Sequence, residues 1–274
     1  MNKFLKYSIR EPLPDERKIS YSQFSMYSSC PKHWELAYAK GLRTFSQSIH
    51  TIFGTAFHET LQNYLTVMFN ESVKKADEID INKYLKDQMF TLYKEAVDKM
   101  GNHFSNKFEL GEFYEDGVAI LDWFKKKRGQ YFSSRNEELI GIEVPIYHPV
   151  NETNDKVMML GYLDIVIRDK RNNKITIIDI KTSTMGWNKY QKADKTKTSQ
   201  LVLYKKYFAE QYGYDVENID VKYMIVKRKL IEGAMFPQKR VTDFMPASGK
   251  PTRNKLATEI KGFVDSAFHK DGTF

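Results

Sequence analysis

The sequence predicts an α/β fold, in which a helical first half precedes a β-rich second half organised as one sheet. Three observations carry that expectation. Apolar residues recur at three- and four-residue spacing through the first half. Past Leu139 the pattern changes to short runs rich in Val, Ile and Tyr, bounded by turn residues. A helical stretch, Thr198 to Tyr212, separates the third of those runs from the fourth, as a strand-helix-strand crossover requires.

Taken in order, Ser20 or Ser22 can cap a short helix through Phe24 and Met26; Pro31 can open a second helix, and Gly41 can close it. From Ser48 to about Asn70, Phe57, Leu61, Tyr64, Leu65 and Met68 make one apolar stripe. Two more helices, Tyr84 to Met100 and Glu112 to Phe132, are separated around Gly101 to Leu110, and no strand is expected in this half. The strands are Leu139 to His148, Val157 to Arg168, Lys174 to Lys181 and Val221 to Lys227. A short β-rich segment after Gly233 and a terminal helix from about Thr252 to Phe268 complete the chain. The expected organisation is a mainly helical region over 1–135 and a core over 136–274, forming one compact unit.

Composition excludes several classes. In 274 residues, 41% hydrophobic and 14% aromatic is too much apolar surface for a disordered chain. The longest apolar runs, such as Met158 to Ile167, stop well short of the roughly 18 residues of a membrane span. Met1 to Arg17 has no apolar block, so no secretory leader is expected and the chain reads as cytoplasmic. Cys30 is the only cysteine, which rules out an internal disulfide and a four-cysteine zinc or iron-sulfur site within one chain. The net charge is 43 − 35 = +8, from 33 Lys and 10 Arg, a balance that suits phosphate attraction better than bidentate reading of bases.

The chemistry concentrates in one hairpin. In Ile177-Ile178-Asp179-Ile180-Lys181 the two charged residues stand two apart, so on a strand they share a face. Burying them among isoleucines requires a partner or a metal. Asp164, in Gly161-Tyr162-Leu163-Asp164, lies on the preceding strand, joined through Asp169 to Asn173. A two-residue loop sets Asp164 opposite Lys181, and a four-residue loop sets it opposite Asp179; either register gathers the three charges on one face. Two carboxylates can hold a hard divalent cation, with the lysine placing an ammonium beside it. The alternative is a structural Asp-Lys ion pair. Gln200 and Tyr204, four apart on the crossover helix, share a face that follows the strand ending in Lys181. His58, one turn after Gly54, can reach past the gap that small residues at 54 and 56 leave beneath their helix.

Together these segments resemble the PD-(D/E)XK nuclease superfamily, specifically its RecB-like branch of DNA exonucleases. Ile19-Ser20-Tyr21-Ser22 through Cys30-Pro31 to Tyr38 is similar to that branch's amino-terminal helical motif, and Gly54-Thr55-Ala56-Phe57-His58 to its histidine motif. Gly161 to Asp164 resembles the first acidic motif, Asp179-Ile180-Lys181 the (D/E)XK motif, and Gln200 to Tyr204 the QxxxY motif. The resemblance implies a restriction-endonuclease-like mixed central sheet flanked by helices. It also implies Mg2+ or Mn2+ bound by His58, Asp164, Asp179 and the Ile180 carbonyl. Lys181 would orient or deprotonate the attacking water, and Gln200 and Tyr204 would position the backbone. Some relatives hold an iron-sulfur cluster whose first cysteine corresponds to Cys30; without further cysteines the cluster is not expected here.

Charge placement points to nucleic acid. Met185 to Lys206 contains six Lys and one Asp, and Lys222 to Leu230 contains four basic residues and no acid. In the first stretch Lys189, Lys192, Lys195 and Lys197 are expected on phosphates, and Trp187 and Tyr190 on bases. The expected function is a metal-dependent DNA nuclease, an exonuclease on single strands or duplex ends, in recombination, repair or phage DNA metabolism, with a protein partner in such a complex an open expectation. The alternatives are a structure-specific endonuclease and a non-catalytic DNA-binding subunit of the same fold.

Overall fold

The structure is a computed structural model that describes residues 8–151, 154–269 and 272–274. The first seven residues of the N-terminal stretch lie outside these. Strand β1 (Arg17–Ile19) leads into α1 (Tyr21–Ser29), whose first turn is capped by the Ser20 side chain accepting from Gln23 N. Pro31 opens α2 (Pro31–Trp34), which runs on as a π-helical turn through Ala39. Then come α3 (Ile49–Asn70), capped by Ser48, α4 (Val73–Asp77), α5 (Ile81–Met100) and α6 (Lys107–Lys127). The second half is β2 (Glu137–Asn151), β3 (Asn154–Asp169), β4 (Ile175–Ser183), α7 (Lys189–Ala193), α8 (Lys195–Tyr212), β5 (Ile219–Lys227), β6 (Val241–Phe244) and α9 (Lys250–Ala267). Each expected helix and strand is there, shifted by a few residues at its ends.

One correction concerns the first half, which does contain a strand. β1 pairs in parallel with Val157 to Met159 of β3. Three residues are too few to display a period of two, so local pattern could not reveal it. The sheet is mixed: β2 runs antiparallel along one edge of β3, β1 and β4 share the other, β5 lies parallel to β4, and β6 antiparallel to β5. Arg168 pairs with Ile175 and Ile165 with Ile178, which is the four-residue-loop register. Asn173, at φ 57°, supplies the left-handed residue that this turn needs.

The sheet separates two apolar layers. On one face α1, α8 and α9 bury Phe24, Leu201, Phe208 and Phe263 against Val144, Val157 and Ile177. On the other, α3, α5 and α6 bury Phe57, Leu61, Leu85 and Ile120 against Ile165, Ile178 and Ile180. Each such side chain, fully buried, contributes about 1.5–3 kcal/mol of transfer free energy. Because β1 and α1 pack with the second half, a boundary at residue 135 divides the sequence but not the packing. No helix among the described residues is long and apolar enough to cross a membrane.

Candidate active site

The ladder between β3 and β4 stops at Ile165 and Ile178, and β4 continues beside β5 alone as far as Ser183. Past that point the Ile180 N–H has no strand partner on the β3 side. It donates instead to Asp164 Oδ2 at 2.7 Å, so the carboxylate terminates the ladder. Asp164 also sits at an irregularity. Leu163 and Val144 belong to the layer under α8, whereas Ile165 and Ile142 belong to the layer under α3. Regular alternation would keep each pair on one face. The phase changes at the unbridged positions Asp164 and Glu143, and Glu143 has φ 50°, a left-handed conformation costing about 1–3 kcal/mol that clusters at functional sites.

On β4, Asp179 and Lys181 share a face, as their spacing requires. Lys181 Nζ lies 2.8 Å from Asp179 Oδ2 and donates to Gln200 Oε1 at 3.1 Å; Gln200 Nε2 in turn donates to the Tyr204 hydroxyl at 3.3 Å. The Tyr204 ring covers Gly161, where an added Cβ would stand only 2.7 Å from a ring carbon. From the opposite layer, α3 comes close enough to β4 that a Cβ on Gly54 would lie 3.3 Å from Thr182 Oγ1. That approach brings His58 Nδ1 to 3.5 Å from Asp164 Oδ2. The structure thus brings together His58, Asp164, Asp179, Lys181, Gln200 and Tyr204.

Electrostatics mark the cluster. Burial, reinforced by the negative charge of Asp179, raises the Asp164 carboxyl well above the usual range. Burial also raises Asp179, against the pull of Lys181. Burial acts to lower the Lys181 ammonium, but Asp179 and Asp164 outweigh it and keep the charge on. Burial and the Lys181 charge push His58 down to about 4, so its imidazole is neutral near pH 7 and able to ligate.

Sequence reasoning missed two groups. Gln62, on α3, donates to Glu143 Oε1 at 2.6 Å and to the Asp164 carbonyl at 3.3 Å. Glu143, with its carboxyl raised by burial, joins His58 and Glu59 in lining a cleft of about 550 Å³ beside the cluster. Glu143 did leave a signal: a lone acid in Ile142-Glu143-Val144 matches Leu163-Asp164-Ile165. Gln62 left none.

The residues fit a divalent cation by their chemistry. Asp179 Oδ2 is buried, and the partner it has there is the Lys181 ammonium at 2.8 Å. Two buried carboxyls, both raised by burial and Asp164 further raised by the charge of Asp179, are relieved by a hard cation, and a neutral imidazole and the Ile180 carbonyl complete a suitable donor set. Among the described residues no three His, Cys, Asp or Glu side chains converge as a ready cage; Asp179 is paired with Lys181, and Asp164 accepts from the Ile180 amide.

The family model of the PD-(D/E)XK nuclease superfamily matches residues 18–271. The chain belongs to this superfamily. No curated protein matches it. The mixed sheet flanked by helices is the superfamily's restriction-endonuclease-like core, and membership assigns the chain to the metal-dependent hydrolases that act on nucleic acids.

In this PD-(D/E)XK chain the Lys-rich segment is only partly a free basic surface. Lys205 is buried and Lys206 pairs with Glu210, so neither belongs with the cluster. Lys195 and Lys197 are exposed at the start of α8, and the single acid of the stretch, Asp194, is spent capping that helix. Lys189 lies over the exposed Tyr190 ring and Lys192 over Phe244. Trp187 differs from expectation: its ring packs against Tyr223 at 5.1 Å and Phe244 at 6.3 Å, so it buttresses the sheet and Tyr190 is the aromatic left with a free face. The second basic stretch is largely neutralised, Lys222 by Asp243, and Arg228 and Lys229 by Glu112 and Asp116. Cys30 is exposed where α1 meets α2.

Proposed function

We propose that the chain is a DNA exonuclease of the RecB-like kind, hydrolysing phosphodiester bonds in single strands or at duplex ends with Mg2+ or Mn2+. The observation that carries the reading is the convergence of Asp164, Asp179 and Lys181 with His58 from one layer and Gln200 from the other, around two buried carboxylates. His58, Asp164, Asp179 and the Ile180 carbonyl would hold the cation. Bound there, it would acidify a water and neutralise charge growing on the phosphate. Oxygen donors favour Mg2+, while the one imidazole makes Mn2+ an effective substitute.

The chain's own groups do the rest. Lys181 stays protonated beside Asp179 and offers its ammonium to the phosphate oxygens, with Gln200 fixing its direction at 3.1 Å. The Tyr204 hydroxyl receives the Gln200 amide and so fixes that side chain. Gln62 ties Glu143 to the backbone of Asp164, keeping a further carboxyl on the His58 side of the cluster. Buried carboxylates beside a phosphate repel it, which favours an enzyme over a pure binding subunit.

A time course on end-labelled linear and circular DNA, single- and double-stranded, with and without Mg2+ or Mn2+, tests this reading. Shortening of linear single strands or duplex ends only with metal, and circles left intact, is expected. Cutting of circles would make it an endonuclease, and no cutting of any substrate with either ion would refute the reading.

A further inference from the structure

Beyond β5 the chain leaves the sheet through a long connection, residues 228–240, before β6. Its root is fixed next to the cluster. Arg228 N donates to the Ser183 carbonyl and Lys229 N to the Thr184 carbonyl, both at 2.8 Å, two and three residues beyond Lys181. Arg228 is also clamped by Glu112 and Asp116 and lies over the Phe113 ring at 3.9 Å. Further out the connection is closed by one side chain. Gln238 Oε1 accepts from Ile231 N at 2.9 Å and its Nε2 donates to Ile231 O at 2.7 Å, a two-point clasp that mimics a strand pair. Beyond the clasp the tip is bare. Met235 is 91% exposed and Phe236 78% exposed.

An anchored root, a closed neck and an uncovered Met-Phe tip are an expensive way to make a plain connection, because solvent-exposed apolar groups gain nothing there. The neighbourhood favours one occupant. Lys227 precedes the root and Lys239 follows the clasp, against the single acid Glu232. Fully extended, the stretch from Lys229 to Phe236 reaches at most about 25 Å from its root, and that root is hydrogen-bonded to Thr184, three residues beyond Lys181. Bases of a single strand present flat apolar faces strung on an anionic backbone, and an exposed aromatic ring three residues before Lys239 is a matching surface.

We propose that residues 231–238 form a prong whose Phe236 ring, supported by Met235, stacks on an unpaired base of the strand entering the site. The inference rests on the nuclease reading and deepens it by naming what orders the strand beside the cluster.

The test uses the full chain without divalent metal, in EDTA, and single-stranded DNA oligonucleotides carrying 2-aminopurine at successive positions. The intact protein is expected to quench fluorescence at one or two adjacent positions. Phe236→Ala should abolish that quench and weaken binding roughly 5- to 100-fold. Phe236→Trp should keep both, and Gln238→Ala, which opens the clasp but leaves the tip, should lose the positional quench. Both sites are at the surface, and an unchanged melting temperature verifies folding. If the wild-type protein cuts DNA while Phe236→Ala binds and quenches as the wild type does, the prong is refuted and the nuclease reading stands. If the wild-type protein neither binds nor cuts, the nuclease reading itself fails.

Discussion

At the scale of single residues the site depends on groups that hold other side chains in place. Gly161 lacks a side chain where the Tyr204 ring needs the space, with a Cβ predicted to fall 2.7–2.8 Å from three of its atoms. Gly161→Ala should therefore push Tyr204 off Gln200, and Gln200 off Lys181. We expect destabilisation of about 1–3 kcal/mol by overpacking, and cleavage lowered beyond what the melting shift explains. Denaturant unfolding alongside initial cleavage rates checks this; a variant that loses neither stability nor rate would show that Tyr204 has room to yield. The charged residues of the site were readable from sequence because a lone acid between isoleucines demands an explanation. The amide of Gln62 was not, since a Gln on an amphipathic helix has no such anomaly and only its partners, Glu143 and Asp164, give it a role.

Among the elements, strands and helices were legible where their period was long enough to register. α3 runs for 22 residues from its Ser48 cap, and Gly54 sets its distance from β4, as the small residues in that motif imply. What sequence could not supply was the matched break in β2 and β3. A period of two carries Leu163 and Ile165 to one face, yet they serve opposite layers because Asp164 and Glu143 interrupt the ladder between them. Local charge was legible as composition but not as available charge, since only three-dimensional neighbours reveal that Lys222, Arg228 and Lys229 are paired. The basic surface therefore narrows to α7 and the first turn of α8. Changing Lys192, Lys195 and Lys197 together to Ala should weaken single-strand binding about equally across sequences and reduce the salt slope by roughly 0.7 per lost phosphate contact. Binding isotherms at several salt concentrations measure it, and an unchanged slope would make these lysines a solvated face.

Over the whole molecule, one mixed sheet serves two layers that meet at the end of β4. His58 arrives from the α3 layer, Gln200 and Tyr204 from the α8 layer, and Asp164, Asp179 and Lys181 from the strands between them. The order of motifs along the chain was readable, and so was the α/β class. The short β1 was not, because its pairing to Val157 to Met159 spans some 140 residues of sequence and leaves no local trace. This architecture makes the acid pair and the lysine separable in function although they touch. The most direct measurement is cleavage of an end-labelled single strand by folded Asp179→Ala and Lys181→Ala proteins, with Mn2+ binding to each followed by calorimetry. Both should lose cleavage by about 10³-fold or more, Asp179→Ala losing metal binding as well and Lys181→Ala retaining it. If both variants unfold, and the wild type cuts nothing with either ion, Asp179 and Lys181 are a structural ion pair and the account is wrong.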